Sequence, residues 1–193
     1  FDIVKDFLTA NAALYGLAEA DLANLHFLGE SVSPGSGLRM VRVEQRVNGQ
    51  PVFQSETRFI LDRDGRLIRS VGQMVPNATA TAAALEHRVT ATQALVAAMA
   101  SVGEQLDAGT MTLVNTSADG RKTEVVTNDA HVSTNVVSQL VYFPLAPGVL
   151  VPAWSQVAMT EGDGDWYTLV DANSGQLLWR KNIRDRKSTR LNS

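Results

Sequence analysis

The sequence contains no cysteine among its 193 residues, which excludes disulfide frameworks, thiolate nucleophiles and cysteine-based zinc sites. It has no run of about 18 apolar residues, so no membrane span is predicted. It also lacks an excess of basic residues: the formal net charge is −3 at pH 7. Because binding to a phosphate backbone needs a basic surface, nucleic acid is not predicted as a partner. With 45% hydrophobic and 19% charged residues, the chain has a globular composition and can bury a core.

The first 76 residues show a helical pattern followed by strand patterns. Apolar residues recur at helical spacing from Val4 to Tyr15, and Gly16 stands where a C-terminal cap belongs. From residue 38 the hydrophobic period changes to two, which predicts strands. The apolar face of the first strand consists of Val41, Val43 and Val47. Turns are predicted at Asn48-Gly49 and Asp62–Gly65, so residues 38–75 are predicted to form a three-stranded antiparallel meander.

Residues 77–88 are rich in alanine and threonine without strand patterning, and we predict a linker there. Thr90 and Gln93 then fit a capping box at the start of a second helix. Short strand patterns separated by turn signals follow as far as residue 182. The predicted fold is α+β, with two tandem small units that each pack a helix on an antiparallel sheet. The units comprise residues 1–76 and 89–184.

The sequence predicts no catalytic, cofactor-binding or metal site. The three histidines, His26, His87 and His131, fall in different predicted elements, and none lies in an H-E-x-x-H pattern. Ser33–Gly37 reads "SPGSG", but it precedes a strand instead of joining a strand to a helix, so a loop is favoured over a nucleophile elbow. Glu161–Asp165, "EGDGD", is too short for an EF-hand loop and is predicted to be a hairpin loop.

Two sets of residues carry a resemblance to known families. In the first unit the set is Gln45, Asn48, Gly49, Pro51, Val52 and Phe53, followed by Asp64 and Gly65. It resembles the fungalysin/thermolysin propeptide domain. In the second unit the set is Trp154, Asp171, Ala172, Gly175 and Trp179. It resembles the PepSY domain, another propeptide module. The stretches "FPLAPGVLVPAW" and "LLWRKN" are most similar to the fungalysin family of secreted zinc metallopeptidases.

The resemblance implies that this chain is the pro-region of a secreted zinc metallopeptidase, and not itself an enzyme. A pro-region of this kind acts as an intramolecular chaperone and inhibitor of the peptidase domain of the same precursor. The resemblance places that domain, with its zinc and its H-E-x-x-H motif, C-terminal to this region. The motif residues listed above fall at turns and strand positions, so they are expected to determine the fold instead of the chemistry.

Two other functions stay open from the sequence. A free-standing PepSY-type peptidase inhibitor or secreted binding module would have the same motifs, and a reading frame that continues into H-E-x-x-H would distinguish the pro-region. An enzyme in its own right would need convergent titratable groups in a cleft, and the sequence shows no such set. The tryptophans Trp154, Trp166 and Trp179 could form a ligand platform, although core packing is the more usual role of large aromatic residues in strands.

The two ends of the sequence carry their own expectations. It begins at Phe1 instead of Met, so the natural N-terminus is expected upstream. Asp185–Ser193, "DRKSTRLNS", matches nothing expected of the second unit. All nine of these residues agree with one reading frame of a common short-read sequencing adapter. We therefore expect this basic tail to be non-native, disordered and without function.

Overall fold

The structure is a computed structural model that describes residues 1–129, 131–132, 135–161 and 164–184. Contacts divide the chain into two compact units. The first consists of Phe1–Leu85 with Tyr142–Val151, and the second of Glu86–Val141 with the residues from Pro152 onward. The chain has two antiparallel sheets and a few short helices, which confirms the predicted α+β class. The predicted non-native tail and part of the "EGDGD" loop lie outside the described residues.

Residues 1–85 of the first unit contain four helices and five strands. The helices are α1 (Asp2–Ala10), α2 (Ala12–Tyr15), α3 (Glu19–Ala23) and α4 (Ala78–Thr81). The strands are β1 (Leu25–Val32), β2 (Arg39–Val47), β3 (Gln50–Pro51), β4 (Thr57–Leu61) and β5 (Leu67–Val71). The sheet has the order β1-β2-β4-β5, and β3 pairs with β2. All of these pairs are antiparallel.

The core of the first unit joins α1 to the sheet. Val4 and Leu8 lie one turn apart on α1 and are buried against Val43 and Phe59, and all four side chains are at most 1% exposed. The alternation of β2 places Val41, Val43 and Val47 on this buried face, as the sequence predicts. Each fully buried aliphatic side chain of this kind contributes about 1.5–3 kcal/mol to stability.

Three local features of the first unit differ from the sequence prediction. The helix predicted as far as Tyr15 breaks at Asn11, whose side-chain amide donates to the carbonyl of Phe7. Such side-chain bonds to the backbone compete with helix continuation. β1 was not predicted, because its exposure does not alternate and Gly29 lies at an irregular register. The predicted second strand is interrupted between β3 and β4, where Gln54 has φ of 57°.

The described residues from Glu86 onward contain one α-helix, a short 3-10 turn and six strands. Two of these strands run into the segment Tyr142–Val151, which the contacts assign to the first unit. The helix is α5 (Ala91–Ala100), and the turn is Ala108–Thr110. The strands are β6 (Met111–Val114), β7 (Lys122–Thr127), β8 (Val136–Ala146), β9 (Val149–Met159), β10 (Asp165–Asp171) and β11 (Leu177–Asn182). They follow one another in the sheet as β11-β10-β9-β8-β7-β6. Each strand therefore lies next to its neighbour in the chain, at the positions that the strand patterns predict.

α5 supplies much of the core of the second unit. Ala94, Leu95, Ala98 and Met99 are fully buried in one cluster with strand residues such as Leu140. The capping box predicted at Thr90 and Gln93 is present, with Thr90 Oγ1 accepting from Gln93 N at 3.2 Å and Gln93 Oε1 accepting from Thr90 N at 2.9 Å. In the described part of the chain, no helix combines the length and the apolar character that crossing a membrane requires.

The stretch 77–88, predicted to be a linker, packs in part into the core of the first unit. It contains α4, Ala78 is 1% exposed, and the amide of Ala83 donates to the carbonyl of Leu150 at 2.9 Å. Small apolar side chains pack closely in a core, so an alanine-rich composition does not by itself indicate a linker. The division by contacts falls at residues 85 and 86, inside this stretch.

Candidate functional site

A groove of about 480 Å³ opens on the first unit. It lies between two segments, 73–76 and 144–148, and Phe53 and Gln54 also line it. Leu145 is 52% exposed, whereas Phe53 is only 9% exposed. These two segments, which we call the near wall (73–76) and the far wall (144–148), are far apart in sequence. Side chains of the predicted propeptide motif position both of them.

Gln45 on β2 holds the near wall. Its side chain is 1% exposed, its Nε2 donates to the carbonyl of Val75 at 2.9 Å, and its Oε1 accepts from the amide of Val75 at 2.6 Å. The amide group therefore pairs with the backbone of Val75 through both donor and acceptor, as a neighbouring strand would. The backbone of Val75 is half-buried, and because backbone groups shielded from water need partners, this pair fixes the position of Val75 beside the sheet.

Asn48 and Gly49 form the turn that carries the motif toward the far wall. Both have positive φ, 51° for Asn48 and 77° for Gly49, which suits the Asn-Gly pair of a tight hairpin turn. The side-chain amide of Asn48 donates to the hydroxyl of Tyr142 at 2.9 Å, and that hydroxyl donates to the carbonyl of Ala83 at 3.0 Å. The ring of Tyr142 is fully buried. Its hydroxyl therefore needs hydrogen-bond partners inside the protein, and Asn48 and Ala83 provide them.

Val52 and Phe53 complete the connection to the far wall. Val52 forms a parallel bridge with Tyr142, and the amide of Phe53 donates to the carbonyl of Tyr142 at 2.8 Å. The rings of Phe53 and Phe143 pack with their centroids 5.7 Å apart. The chain then turns at Gln54, and Ser55 Oγ accepts from the amide of Gln45 at 3.0 Å. The motif thus brings the near and far walls to one place.

The lining of the groove suits binding instead of proton transfer. Phe53, Met74, Pro76 and Leu145 supply apolar surface, and the side chain of Gln73 can supply hydrogen bonds. None of the described lining residues has a titratable side chain. Concave sites lined by apolar groups with a few polar ones are typical of ligand-binding sites. The groove can accept an apolar side chain from a partner.

The other motif residues of the first unit form turns. Pro51 pairs with Arg46 in the short β3. Gly65 has φ of 80° in the turn between β4 and β5, a conformation that favours glycine. In this turn Asp62 Oδ1 accepts from the amides of Asp64 at 2.9 Å and Arg66 at 2.8 Å. Asp62 is therefore the carboxylate that holds the turn, and the motif residue Asp64 contributes its backbone amide.

The motif residues of the second unit hold its closing hairpin. Trp154 is 2% exposed and donates from Nε1 to the carbonyl of Val89 at 2.7 Å, and the amide of Val89 donates to the carbonyl of Ala172 at 2.9 Å. Asp171 Oδ1 accepts from the next turn amides, Asn173 N and Ser174 N, at 2.8 and 2.7 Å. These contacts make Trp154 a core residue and not a ligand platform.

Two further positions close this hairpin. Gly175 has φ of 75°, in the left-handed region that glycine adopts without strain. Trp179 on β11 packs edge-on against Tyr167, with the ring centroids 5.3 Å apart. Both residues shape the end of the sheet.

The histidines do not form a common site. His26 lies on β1, and the ring of His87 packs edge-on against that of Trp154 with centroids 6.0 Å apart. His131 Nδ1 is 2.6 Å from Asp129 Oδ1, and this hydrogen bond raises the pKa of His131. Asp129 Oδ1 also accepts from the amide of His131 at 2.9 Å, and this backbone bond, followed by the side-chain bond, lowers the pKa of Asp129. The described residues contain no group of three or more His, Asp or Glu side chains placed to hold a metal ion.

Sequence reasoning missed two residues that build the groove, Val75 and Tyr142. Val75 contributes only backbone atoms to its bonds with Gln45, so no side-chain type could have indicated it. Tyr142 lies in the run "SQLVYFPL". A tyrosine in an otherwise apolar strand needs a partner for its hydroxyl, which is the signal that could have found it.

Comparisons with known proteins give a remote structural likeness and no family match. No protein-family model matches the sequence. A search of curated proteins also finds no match. Among solved structures, the chain is similar to the Bacillus megaterium YpeB C-terminal domain, with 8% sequence identity and a TM-score of 0.37. The likeness covers 95% of this chain and 63% of that one, so the chain spans less than two thirds of its length. At this TM-score we draw no conclusion about function from it.

Proposed function

We propose that this chain is the pro-region of a secreted zinc metallopeptidase of the fungalysin type. In this role it assists folding of the peptidase domain of the same precursor and holds that domain inactive. Zinc belongs to the peptidase domain and not to this chain. The proposal is supported by the resemblance of residues 45–65 to the fungalysin/thermolysin propeptide domain, and of residues 154–179 to the PepSY domain.

One observation carries the proposal: the motif residues build a binding groove. Gln45 holds the near wall at Val75, while Asn48 and Phe53 hold the far wall through Tyr142. The described lining of this groove has no titratable side chain. Such a groove is better suited to binding another protein than to catalysis. The groove would take an apolar side chain of the peptidase surface.

A pro-region that is covalently joined to its peptidase can inhibit it through an interface of modest affinity. A pro-region joined to its peptidase meets it at an effective concentration in the millimolar range for a short flexible linker. Binding to the native-like peptidase also stabilises it by mass action, whereas the unfolded peptidase gains nothing. Cleavage of the linkage removes this advantage, and the peptidase is released.

The test is a refolding and inhibition assay with matched variants of the far wall. The whole chain is added to a denaturant-unfolded catalytic domain of a fungalysin-type peptidase, and both the recovered activity and its inhibition are measured. Leu145→Lys places a charge in the groove, and we expect about tenfold weaker inhibition, because burying a charge without a partner is unfavourable. Val149→Lys is the control, since Val149 is 42% exposed and does not line the groove.

Two outcomes would reject the proposal. The pro-region function fails if the wild-type chain neither raises the refolding yield nor inhibits the peptidase. The assignment of the groove fails if Leu145→Lys and Val149→Lys inhibit equally well. Circular dichroism of both variants shows whether each is folded.

We further propose that the chain consists of two modules, each a helix packed on an antiparallel sheet. Their sequence patterns span residues 1–76 and 89–184, and the first module also takes in residues 142–151, as the division by contacts indicates. The burial of α1 against the first sheet and of α5 against the second supports this arrangement. A pro-region of this type is secreted together with its peptidase.

The second candidate function is a free-standing PepSY-type peptidase inhibitor or a secreted binding module. The same groove favours it, because a lining without titratable groups suits binding in either setting. The two functions differ in refolding. A pro-region raises the yield of active peptidase from the unfolded chain, whereas an independent inhibitor blocks the folded peptidase without improving its refolding.

A further inference from the structure

The strand β5 forms a free edge of the first sheet. It is the last strand in the order β1-β2-β4-β5, and within the described residues no strand pairs with its outer side. Ile68 and Val71 on this strand are 58% and 46% exposed. A free edge presents unpaired N–H and C=O groups, which are a template for an additional strand. β5 therefore can accept a partner segment in an extended conformation.

Arginines dominate the sheet face beside this edge. Arg42 on β2 lies directly opposite Arg58 on β4, and Arg69 on β5 lies opposite Ile60. Arg58 lies opposite Val71, two residues from Arg69 along β5, so the two arginines are diagonal neighbours about 7–8 Å apart at their Cα atoms. Like charges directly opposite each other destabilise a sheet. This arrangement of like charges costs folding stability.

The neighbouring carboxylate neutralises only part of this charge. Glu56 Oε1 lies 3.0 Å from Arg58 Nε and 4.0 Å from Arg42 Nη1, so one carboxylate serves two arginines. Arg69 makes no ion pair within the described residues and is exposed. The face next to the β5 edge thus keeps a positive excess, although the whole chain has a net charge of −3.

The same arginines decide which segment can pair with the edge. If two copies of β5 paired antiparallel about its central residue, Arg69 of one copy would face Arg69 of the other. Like charges on edge strands are a device by which proteins prevent self-pairing. An acidic segment would instead place a carboxylate opposite Arg69, where an arginine fork forms strong charge-assisted hydrogen bonds. Nucleic acid is disfavoured by the net negative charge of the chain.

We propose that β5 is a docking edge for an extended acidic segment of another protein. The segment adds to the sheet as a further strand, its backbone bonds to the free edge of β5, and one of its carboxylates faces Arg69. Backbone hydrogen bonds supply the affinity, and the arginine face supplies the preference for acidic sequences. This surface is distinct from the groove, and the proposal does not depend on the pro-region function.

The test uses a fluorescently labelled peptide of eight residues with alternating Thr and Glu, and its binding to the whole chain is measured by fluorescence anisotropy. We expect saturable binding that weakens as salt is raised, because exposed charges are screened. Arg69→Glu should weaken binding about tenfold, since it puts like charges opposite each other. The same peptide with N-methyl groups on alternate residues should also bind about tenfold more weakly, because it cannot complete the strand pairing.

Two further variants guard against misfolding as an explanation. Glu56→Gln removes the carboxylate that neutralises Arg58, so it should strengthen peptide binding about twofold, a gain that a misfolded chain would not show. Arg88→Glu is the matched control, because Arg88 is 77% exposed on the other unit, and it should leave binding unchanged.

Four results would overturn the proposal. These are no saturable binding to the wild-type chain, equal binding by Arg69→Glu, equal binding of the N-methylated peptide, and displacement of the peptide by single-stranded DNA at equal charge concentration. The last result would indicate a general anion-binding surface instead of a docking edge for an acidic strand.

Discussion

The side-chain amide of Gln45 makes the two backbone hydrogen bonds that a neighbouring strand would make. Its amide satisfies both the N–H and the C=O of Val75 while being 1% exposed. The residue belongs to the predicted motif, and the structure gives it a physical role that periodicity could not provide. By alternation it faces the core like Val43 and Val47, where a glutamine is tolerated only with partners.

We predict that Gln45→Met destabilises the protein by about 1–3 kcal/mol, because Met has a similar volume but leaves the backbone donor and acceptor of the half-buried Val75 without these partners. The free energy of unfolding in urea is the measurement. Gln73→Met, at an exposed glutamine, should change stability by less than about 0.5 kcal/mol. Equal small effects of both substitutions would show that the Gln45 bonds do not fix Val75.

His131 makes stability depend on pH in a defined direction. Its hydrogen bond to Asp129, the charge of Asp129 and that of Glu104 raise its pKa above the ordinary 6.5. The hydrogen bond from the backbone amide of His131, followed by that from its ring, lowers the pKa of Asp129 below 3.8. The stabilisation from His131 is therefore fully present below pH 6.5 and is lost as pH rises through the raised pKa. That from Asp129 is present above pH 3.8 and is lost as pH falls through the lowered pKa.

We predict that the difference in Tm between the wild type and His131→Gln is largest near pH 5 and shrinks by about pH 8.5, because His131 loses its charge over this range. Thermal unfolding followed by circular dichroism measures it. Asp129→Asn removes the main cause of the raised pKa, so it should flatten the pH profile in the same way. A difference that stays constant across the range would contradict the pairing.

The strands differ in how well sequence patterns predict them. The strands of the second unit were predictable, because turn signals such as Asp119-Gly120 and Pro147-Gly148 separate apolar runs that pair with their neighbours in the chain. The break between β3 and β4 was not predictable. It depends on the bridge between Val52 and Tyr142, and alternation encodes only local geometry. The groove was not predictable for the same reason, because its two walls are far apart in sequence.

α5 offers a direct test of a local signal. Thr90→Ala should destabilise the second unit by about 1 kcal/mol, because the amide of Gln93 loses its acceptor at the helix N-terminus. Thr90→Ser keeps a hydroxyl cap and should lie within a few tenths of a kcal/mol of the wild type. The midpoint of chemical unfolding reports both values. If Ala and Ser behaved alike, the capping box would contribute nothing measurable.

At the scale of the whole molecule, the first unit is discontinuous in sequence. Tyr142 and Leu150 are fully buried in a cluster with Val47, Val52 and Ala78. A fragment of residues 1–85 lacks both of these large side chains. Removing a single buried large side chain typically costs about 3–5 kcal/mol, which is comparable to the whole stability of a small domain.

We therefore predict that the fragment 1–85 shows no cooperative thermal unfolding, whereas the complete chain does. The dispersion of amide signals in an NMR spectrum provides a second measure of folding. Tyr142→Ala in the complete chain should lower stability in the same direction. A fragment that unfolds cooperatively at the midpoint of the complete chain would contradict the assignment of residues 142–151 to the first unit.

We propose that the groove built by the motif residues binds the peptidase. Amide chemical shifts of the isotope-labelled chain, followed while an unlabelled fungalysin-type catalytic domain is added, test it most directly. We predict that the largest shifts fall on Phe53, on Gln73–Val75 and on Leu145, and that Leu145→Lys abolishes them at the same concentrations. If the peptidase binds but shifts only the amide signals of other surfaces, the groove is not its binding site.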